Sequence, residues 1–353
     1  MEFHAIGGGD EYNSPMISVL FVASFLLSIL LTRMFMSPSS WVRVMDHPNE
    51  RSLHTVPVSR AGGLAIMAAF FAVIGVAALL QDIFVSPVLI FCALLIAVIS
   101  FIDDCYSLSA AIRFVVHFCA AIIVVMNGYT LTVLEFPGWS WQWPESLALA
   151  ASSIFIVWSI NLYNFMDGMD GFSAGMAVIG FSFFALLGWQ AQEPLFVSAN
   201  LIVVGAVLGF LVFNFPPAKI FMGDIGASTL GFLMAAFSLW ASVDKIFPIW
   251  VAVFVFSPFI VDATVTLIRR VLARERVWKA HRSHYYQRLV QLGWGHRKTV
   301  LYAYLLMILC GSSSWLAMQL DVVYQVFIVF AWMAIYILII LGIKKLQHRY
   351  GFE

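Results

Sequence analysis

The sequence predicts an all-α polytopic membrane protein, on three observations. Hydrophobic residues make up 62% of the 353 and charged residues only 11%, with a mean hydropathy of +0.93. Apolar runs of about 18 to 20 residues, enough to cross a hydrocarbon core of roughly 30 Å, recur from end to end. The runs are continuous and do not alternate with period two, which selects helices over barrel strands, the other structure that satisfies its own backbone in lipid.

About eleven spans are expected, over 16–36, 61–80, 85–102, 110–126, 146–163, 172–189, 196–213, 227–243, 247–268, 299–317 and 322–343. Glu2, Asp10 and Glu11 precede the first and Arg33 follows it, the reverse of a cleavable signal peptide, so it is retained. The third ends at Asp103 and Asp104, and the fifth runs into "SINLYNFMDGMDGFSAG" at 159–175. The seventh and eighth are joined by "NFPPAKIFMGDIGAS" at 214–228, and a basic stretch over 269–298 follows the ninth. The third and eighth, with short flanking loops, are the spans easiest to miscount. The chain reads as one integral-membrane domain over 1–353, whose larger loops are 37–60 and 269–298.

Lys and Arg set the orientation. Arg43, Arg51 and Arg60 fall in the first long loop, nine cations from Arg269 to Lys298 before the tenth span, and Lys344, Lys345 and Arg349 in the tail. With eleven spans all of these lie on one side, and Lys245 is the obvious basic residue in a loop on the other. The basic side is the cytoplasm, with the N-terminus outside. Cys92, Cys119 and Cys310 sit within spans and Cys105 in a loop, without a CxxC, so neither a disulfide framework nor a zinc site is suggested. "FPGWSWQWP" at 136–144 reads as an interfacial aromatic belt on the outer side.

Five carboxylates, Asp103, Asp104, Asp167, Asp170 and Asp224, thus gather at cytoplasmic span ends beside glycine-rich turns and cations. Acidic groups near a membrane are costly unless solvated, paired or metal-bound. Hard oxygen donors with few thiols suit magnesium, with manganese as the near alternative, and magnesium keeps water and substrate phosphate in its shell. Asn161, Asn164 and Asp167, spaced by three, line one side of a helix end, and Gly168 and Gly171 let the backbone turn and approach a ligand. Asn and Asp together suit a nucleobase edge, a ribose or a hydrated metal.

These motifs, in this order, resemble the polyprenyl-phosphate N-acetylhexosamine-1-phosphate transferases (glycosyltransferase family 4), from about residue 40 to 300. The resemblance implies attack by the phosphate of undecaprenyl phosphate on the β-phosphate of a UDP-N-acetyl sugar, releasing UMP. It makes Asp224 of "FMGD" a magnesium ligand and Phe221 a uracil contact. It places Asp167 and Asp170 around nucleotide and metal, with Asn161 and Asn164 in support, and gives Asp103 and Asp104 the lipid phosphate. Arg51, His54 and Arg60 in "HPNERSLHTVPVSRAGGLAI", Arg113 and Lys219 become candidate phosphate ligands, although all also suit an ordinary positive-inside or snorkelling role. His281 and His284 lie in "AHRSHYYQRL", where His284 is the candidate catalytic histidine.

Two departures bear on substrate. Several members carry a lysine seven residues after the second aspartate, where this chain has Ala111, so a substrate phosphate must find its cation elsewhere. The muramoyl-pentapeptide enzyme has three consecutive histidines where this chain keeps two separated ones, which favours the Gram-negative O-antigen-initiating type, using UDP-GlcNAc or a 6-deoxy relative such as UDP-FucNAc or UDP-QuiNAc. The muramoyl enzyme is the alternative within the family. From another class, a secondary transporter would place its acids near the bilayer midplane and show an internal repeat, and Asp262 is the one residue that suits it. The expected partners are the two substrates and membrane lipids, with a homodimer as an open assembly and no nucleic acid.

Overall fold

The computed structural model describes residues 14–37, 44–46, 57–81, 85–275 and 282–350. In chain order its helices are α1 (Ser14–Met36), α2 (Gly62–Gln81), α3 (Pro87–Tyr106), α4 (Ala110–Met126), α5 (Glu145–Met166), α6 (Phe172–Gln190), α7 (Pro194–Asn214), α8 (Gly223–Val243), α9 (Ile249–Val255), α10 (Ser257–Leu272), α11 (Tyr285–Leu289), α12 (Gly295–Ala317) and α13 (Val322–Arg349). Two short antiparallel pairs join them: β1 (Met45–Asp46) with β2 (Val58–Ser59), and β3 (Val133–Phe136) with β4 (Trp139–Gln142).

Among the described residues, nine helical segments are long and apolar enough to cross a bilayer, the bent pair α9 and α10 makes a tenth, and α4 is a shorter apolar helix. Each of the eleven expected spans therefore has its helix. The ninth differs from expectation, because it turns by 80° between α9 and α10. Pro258, in the first turn of α10, has no N–H to continue the ladder and its ring excludes the preceding turn's carbonyl, so the chain restarts in a new direction. The tryptophan-rich 136–144 stretch also has more structure than expected, forming the β3–β4 hairpin around Gly138 (φ +77°), with Trp139 and Trp141 exposed.

The bundle is built around α8, 94% of whose apolar window is buried, against 11% for α13. Helix α8 packs on α5, α3 and α2, while α1 lies along α7. Small residues permit the α1–α7 approach: side chains at Gly205 and Gly209 would strike the carbonyls of Phe21 and Phe25, and Ser24 and Ser28 donate to the carbonyls of Ile202 and Ala206. An antiparallel bundle of this kind brings the ends of α3, α5 and α7 and the starts of α2, α4, α6 and α8 to one face.

Candidate active site

The acidic ends of α3 and α8 meet two arginines on that face. Arg60, just before α2, places Nη2 3.2 Å from Asp224 Oδ1 and 3.3 Å from Asp104 Oδ1. Arg113, in the first turn of α4, places Nη1 2.6 Å from Asp103 Oδ2 and 3.1 Å from Asp224 Oδ2. Both arginines reach Asp224, one on each oxygen, and each keeps nearly a third of its side chain exposed. Burial works against the Arg60 charge, but Asp104, Asp224, Asp46 and Asp167 outweigh it and hold the guanidinium pKa above its ordinary value. Among the described residues, Arg60 and Arg113 are thus the guanidinium groups that meet these carboxylates, in a chain with Ala111 in the lysine position.

Asp103 and Asp104 are adjacent but spend their oxygens differently. Asp104 is buried and accepts hydrogen bonds from the backbone N–H groups of Asp224 (3.1 Å) and Ile225 (3.0 Å), so it caps the N-terminus of α8 from another helix. Asp103 accepts from Leu108 N at 2.7 Å and pairs with Arg113. Backbone contacts set the distance from α2 to α8. Gly62 N donates to Phe221 O and Gly63 N to Met222 O, while Phe221 N donates to Ser59 O. A Cβ on Gly63 would overlap the backbone of Gly226, and Gly223 has φ +71° with no room beside the Arg60 carbonyl and Asp104. The glycines of "RAGG" and "FMGD" are one seam.

The loop from Asp167 to Gly171 forms the opposite wall. Helix α5 ends at Met166, so the expected polar stripe is cut. Asp167 is its C-cap, and Asp170 lies in the turn before α6, off the stripe. Asn161 donates its amide to Val157 O within its own helix, and the Asn164 carbonyl accepts from Asp167 N. Gly171 does turn the chain, with φ +70°, but the room beside Gly168 is filled by protein, since the Tyr286 hydroxyl and the Gln287 amide stand where its Cβ would be. Asn214, buried at the end of α7, accepts from Gly171 N and donates to Ile220 O, tying this loop to the "NFPPAKI" turn. Asp170 accepts from Ala218 N at 3.0 Å and pairs with His296 at 3.1 Å. Burial pushes its carboxyl up, and the bonds from His296 and Ala218 outweigh that, leaving its pKa below the ordinary value.

The remaining candidates divide. Phe221 is half-buried in the seam beside Asp224, and the Lys219 side chain is exposed on the neighbouring turn. Arg51, His54 and His281 lie outside the described residues. His284, the expected catalytic histidine, is only 2% exposed, and it starts α11 with Nδ1 3.3 Å from Asp262 Oδ1. Asp262 is correspondingly no isolated acid within a span. Sequence reading missed Asp262 and His296 as site neighbours, because each finds its partner through the fold, across 22 and 126 positions.

The donor set bears on the expected metal. Four carboxylates, Asp103, Asp104, Asp167 and Asp224, face two guanidinium groups, which leaves two negative charges over. At Asp167 burial raises the pKa and Asp224 and Asp104 add to it, outweighing the Ser173 and Arg60 contributions, so the carboxyl is pushed up to about 7. Among the described residues no three His, Cys, Asp or Glu side chains are grouped to hold an ion. Both Asp224 oxygens are taken by Arg60 and Arg113, so a cation bound there would have to displace an arginine contact.

This is a multi-pass helical membrane enzyme in which two arginines and three aspartates from separated segments meet at one end of the bundle. The chain belongs to glycosyl transferase family 4, the polyprenyl-phosphate hexosamine-1-phosphate transferases, and is a phosphotransferase. The family profile matches residues 86–242. The chain is 30% identical over 324 residues to the probable undecaprenyl-phosphate N-acetylglucosaminyl 1-phosphate transferase of Bacillus subtilis, covering 89% of this chain and 88% of that one. It is 32% identical over 301 residues to the decaprenyl-phosphate N-acetylglucosaminephosphotransferase of Mycobacterium tuberculosis (strain H37Rv), covering 76% and 74%. The phospho-N-acetylmuramoyl-pentapeptide-transferase of Oceanobacillus iheyensis is 36% identical, but over 179 residues, half of this chain. Family membership removes the transporter alternative.

Proposed function

We propose that this enzyme transfers N-acetylhexosamine 1-phosphate from a UDP-amino sugar to undecaprenyl phosphate, on the cytoplasmic side of a bacterial inner membrane. An acceptor phosphate oxygen attacks the β-phosphorus of the donor, the bond to the bridging oxygen breaks, and UMP leaves with that oxygen. The observation that carries the reading is the meeting of Asp224 with Arg60 and Arg113, from three separated segments, at the end of a buried helix. Two anionic substrates approach each other only where positive charge offsets theirs. Arg60 and Arg113 bind phosphate by exchanging their aspartate contacts for it, and Asp103 positions Arg113. Proton removal is a secondary duty for Asp103, because a phosphate monoester with a second pKa near 6 is largely ionised at neutral pH. Magnesium, or manganese in its place, held by Asp224 and Asp167, would supply charge neutralisation between the two phosphates.

The donor we favour is UDP-GlcNAc or a 6-deoxy relative such as UDP-FucNAc or UDP-QuiNAc, in the first step of O-antigen or a related surface polysaccharide. Relatives matched along most of their length are named for N-acetylglucosamine transfer, whereas the muramoyl relative is matched along half. The test is UMP release by purified protein with undecaprenyl phosphate, magnesium and a panel of UDP-N-acetyl sugars including the muramoyl pentapeptide, each with an EDTA control. Metal-dependent UMP from one or two amino-sugar donors is expected. Release from the muramoyl donor alone would replace this reading, and none from any donor, in folded protein, would overturn it.

A further inference from the structure

The carboxylate of Asp262 lies outside the arginine cluster, yet it is the most heavily engaged acid in the described protein. Oδ1 accepts from Tyr285 N at 2.9 Å and Thr266 Oγ1 at 3.2 Å and lies 3.3 Å from His284 Nδ1, while Oδ2 accepts from Tyr286 N at 3.0 Å. Two consecutive backbone N–H groups and the His284 ring therefore converge on one side chain of α10, which fixes where α11 begins. The His284 backbone N–H adds a bond to Gln287 Oε1, closing the first turn.

What α11 carries explains why its position matters. The Tyr286 ring packs on Phe172 with centroids 4.4 Å apart, Phe172 packs on Phe259 at 4.8 Å, and Phe259 on Tyr163 at 5.3 Å. This aromatic row lies beneath the Asp167–Gly171 loop. At its end the buried Tyr286 hydroxyl fills the space beside Gly168, against the Gly168 backbone and the Gln287 side chain.

We propose that Asp262 is a positioning residue of the transfer reaction: by fixing the start of α11 it sets Tyr286 under Gly168 and holds the Asp167–Asp170 loop in place for the nucleotide-sugar donor. The inference rests on the proposed reaction and adds a residue to it. Asp262→Asn keeps the shape but turns an NH2 group toward a backbone N–H or toward Thr266 and His284, so at least one of the convergent bonds becomes a clash of donors.

The test is steady-state UMP release by full-length Asp262→Asn, Tyr286→Phe and the double variant, in detergent or nanodiscs, with donor and acceptor varied separately. Asp262→Asn is expected to raise the donor KM about tenfold while the acceptor KM moves less than about twofold. Tyr286→Phe is expected to raise the donor KM in the same direction by a smaller factor. The double variant should be no worse than Asp262→Asn, because both act through one contact. Equal change in both KM values, a loss confined to kcat, or multiplicative effects in the double variant would overturn the proposal. If Asp262→Asn is not recovered folded, Tyr286→Phe decides: it removes only the hydroxyl that meets Gly168, and a wild-type donor KM in it would overturn the proposal. Failure of the underlying reaction would show differently, as no metal-dependent UMP from the wild-type enzyme.

Discussion

Two acidic regions share the working face and are held in opposite ways. Around Asp224 the partners are arginine side chains, each partly exposed, at 3.1 and 3.2 Å. Around Asp262 two consecutive backbone N–H groups at a helix start, at 2.9 and 3.0 Å, join the Thr266 hydroxyl and the His284 ring. A guanidinium can swing from a carboxylate to a phosphate, whereas an amide in a helix terminus stays where the helix is. The first kind of contact suits exchange with incoming anions, and the second suits holding the frame still while that exchange happens.

The widest gap between the two kinds should appear at Asp224. Asp224→Asn keeps the shape and removes the charge that both arginines and a dication use, so UMP release should fall by about 10²- to 10³-fold while the thermal midpoint stays near wild type. A loss of fold in step with the loss of rate would place Asp224 with the frame instead. Arg113→Ala should come next. It leaves Asp103 and Asp224 without a shared cation, and steady-state kinetics should show the acceptor KM raised by about tenfold or more, with a smaller effect on the donor. An unchanged acceptor KM would assign the lipid phosphate to Arg60 alone.

The smallest effect concerns pH. Because the Asp167 carboxyl titrates near 7 in the folded protein, above its value in an unfolded chain, its contribution to stability is present in acid and is lost as pH rises toward and through 7. A dication removes that penalty only where Asp167 is ionised. Magnesium should therefore raise the thermal midpoint more at pH 8 than at pH 6, by about 2 °C. An equal rise at both values would take Asp167 out of the metal site.

The first region was legible in the sequence and the second largely was not. Asp103, Asp104 and Asp224 stand at the ends of strongly apolar runs, so hydropathy alone put them on one face, and Arg113 follows within a turn of the next run. Nothing local says that Asp104 caps α8 120 positions away, or that Asp262 organises a turn 22 residues later. The polar stripe from Asn161 to Asp167 misled for a related reason: its three-residue spacing continues past Met166, where the helix stops, so its last member answers to loop geometry, as Asp170 does. The glycines beside them suggested ligand approach, and a tyrosine from α11 fills the space at Gly168. The bend at Phe256 had a local sign in Pro258, outweighed by the length of the apolar run around it.

The glycine seam between the start of α2 and the start of α8 has a consequence in hydrogen exchange. The amides of Gly62, Gly63 and Phe221 sit at a junction between elements, where exchange is ordinarily fast, yet each donates to a backbone carbonyl and the two segments touch too closely to part singly. Their protons should be released only when α2 and α8 separate, as slowly as those in the middle of the buried α8, so the slowest-opening part of this enzyme would run straight into its reactive centre.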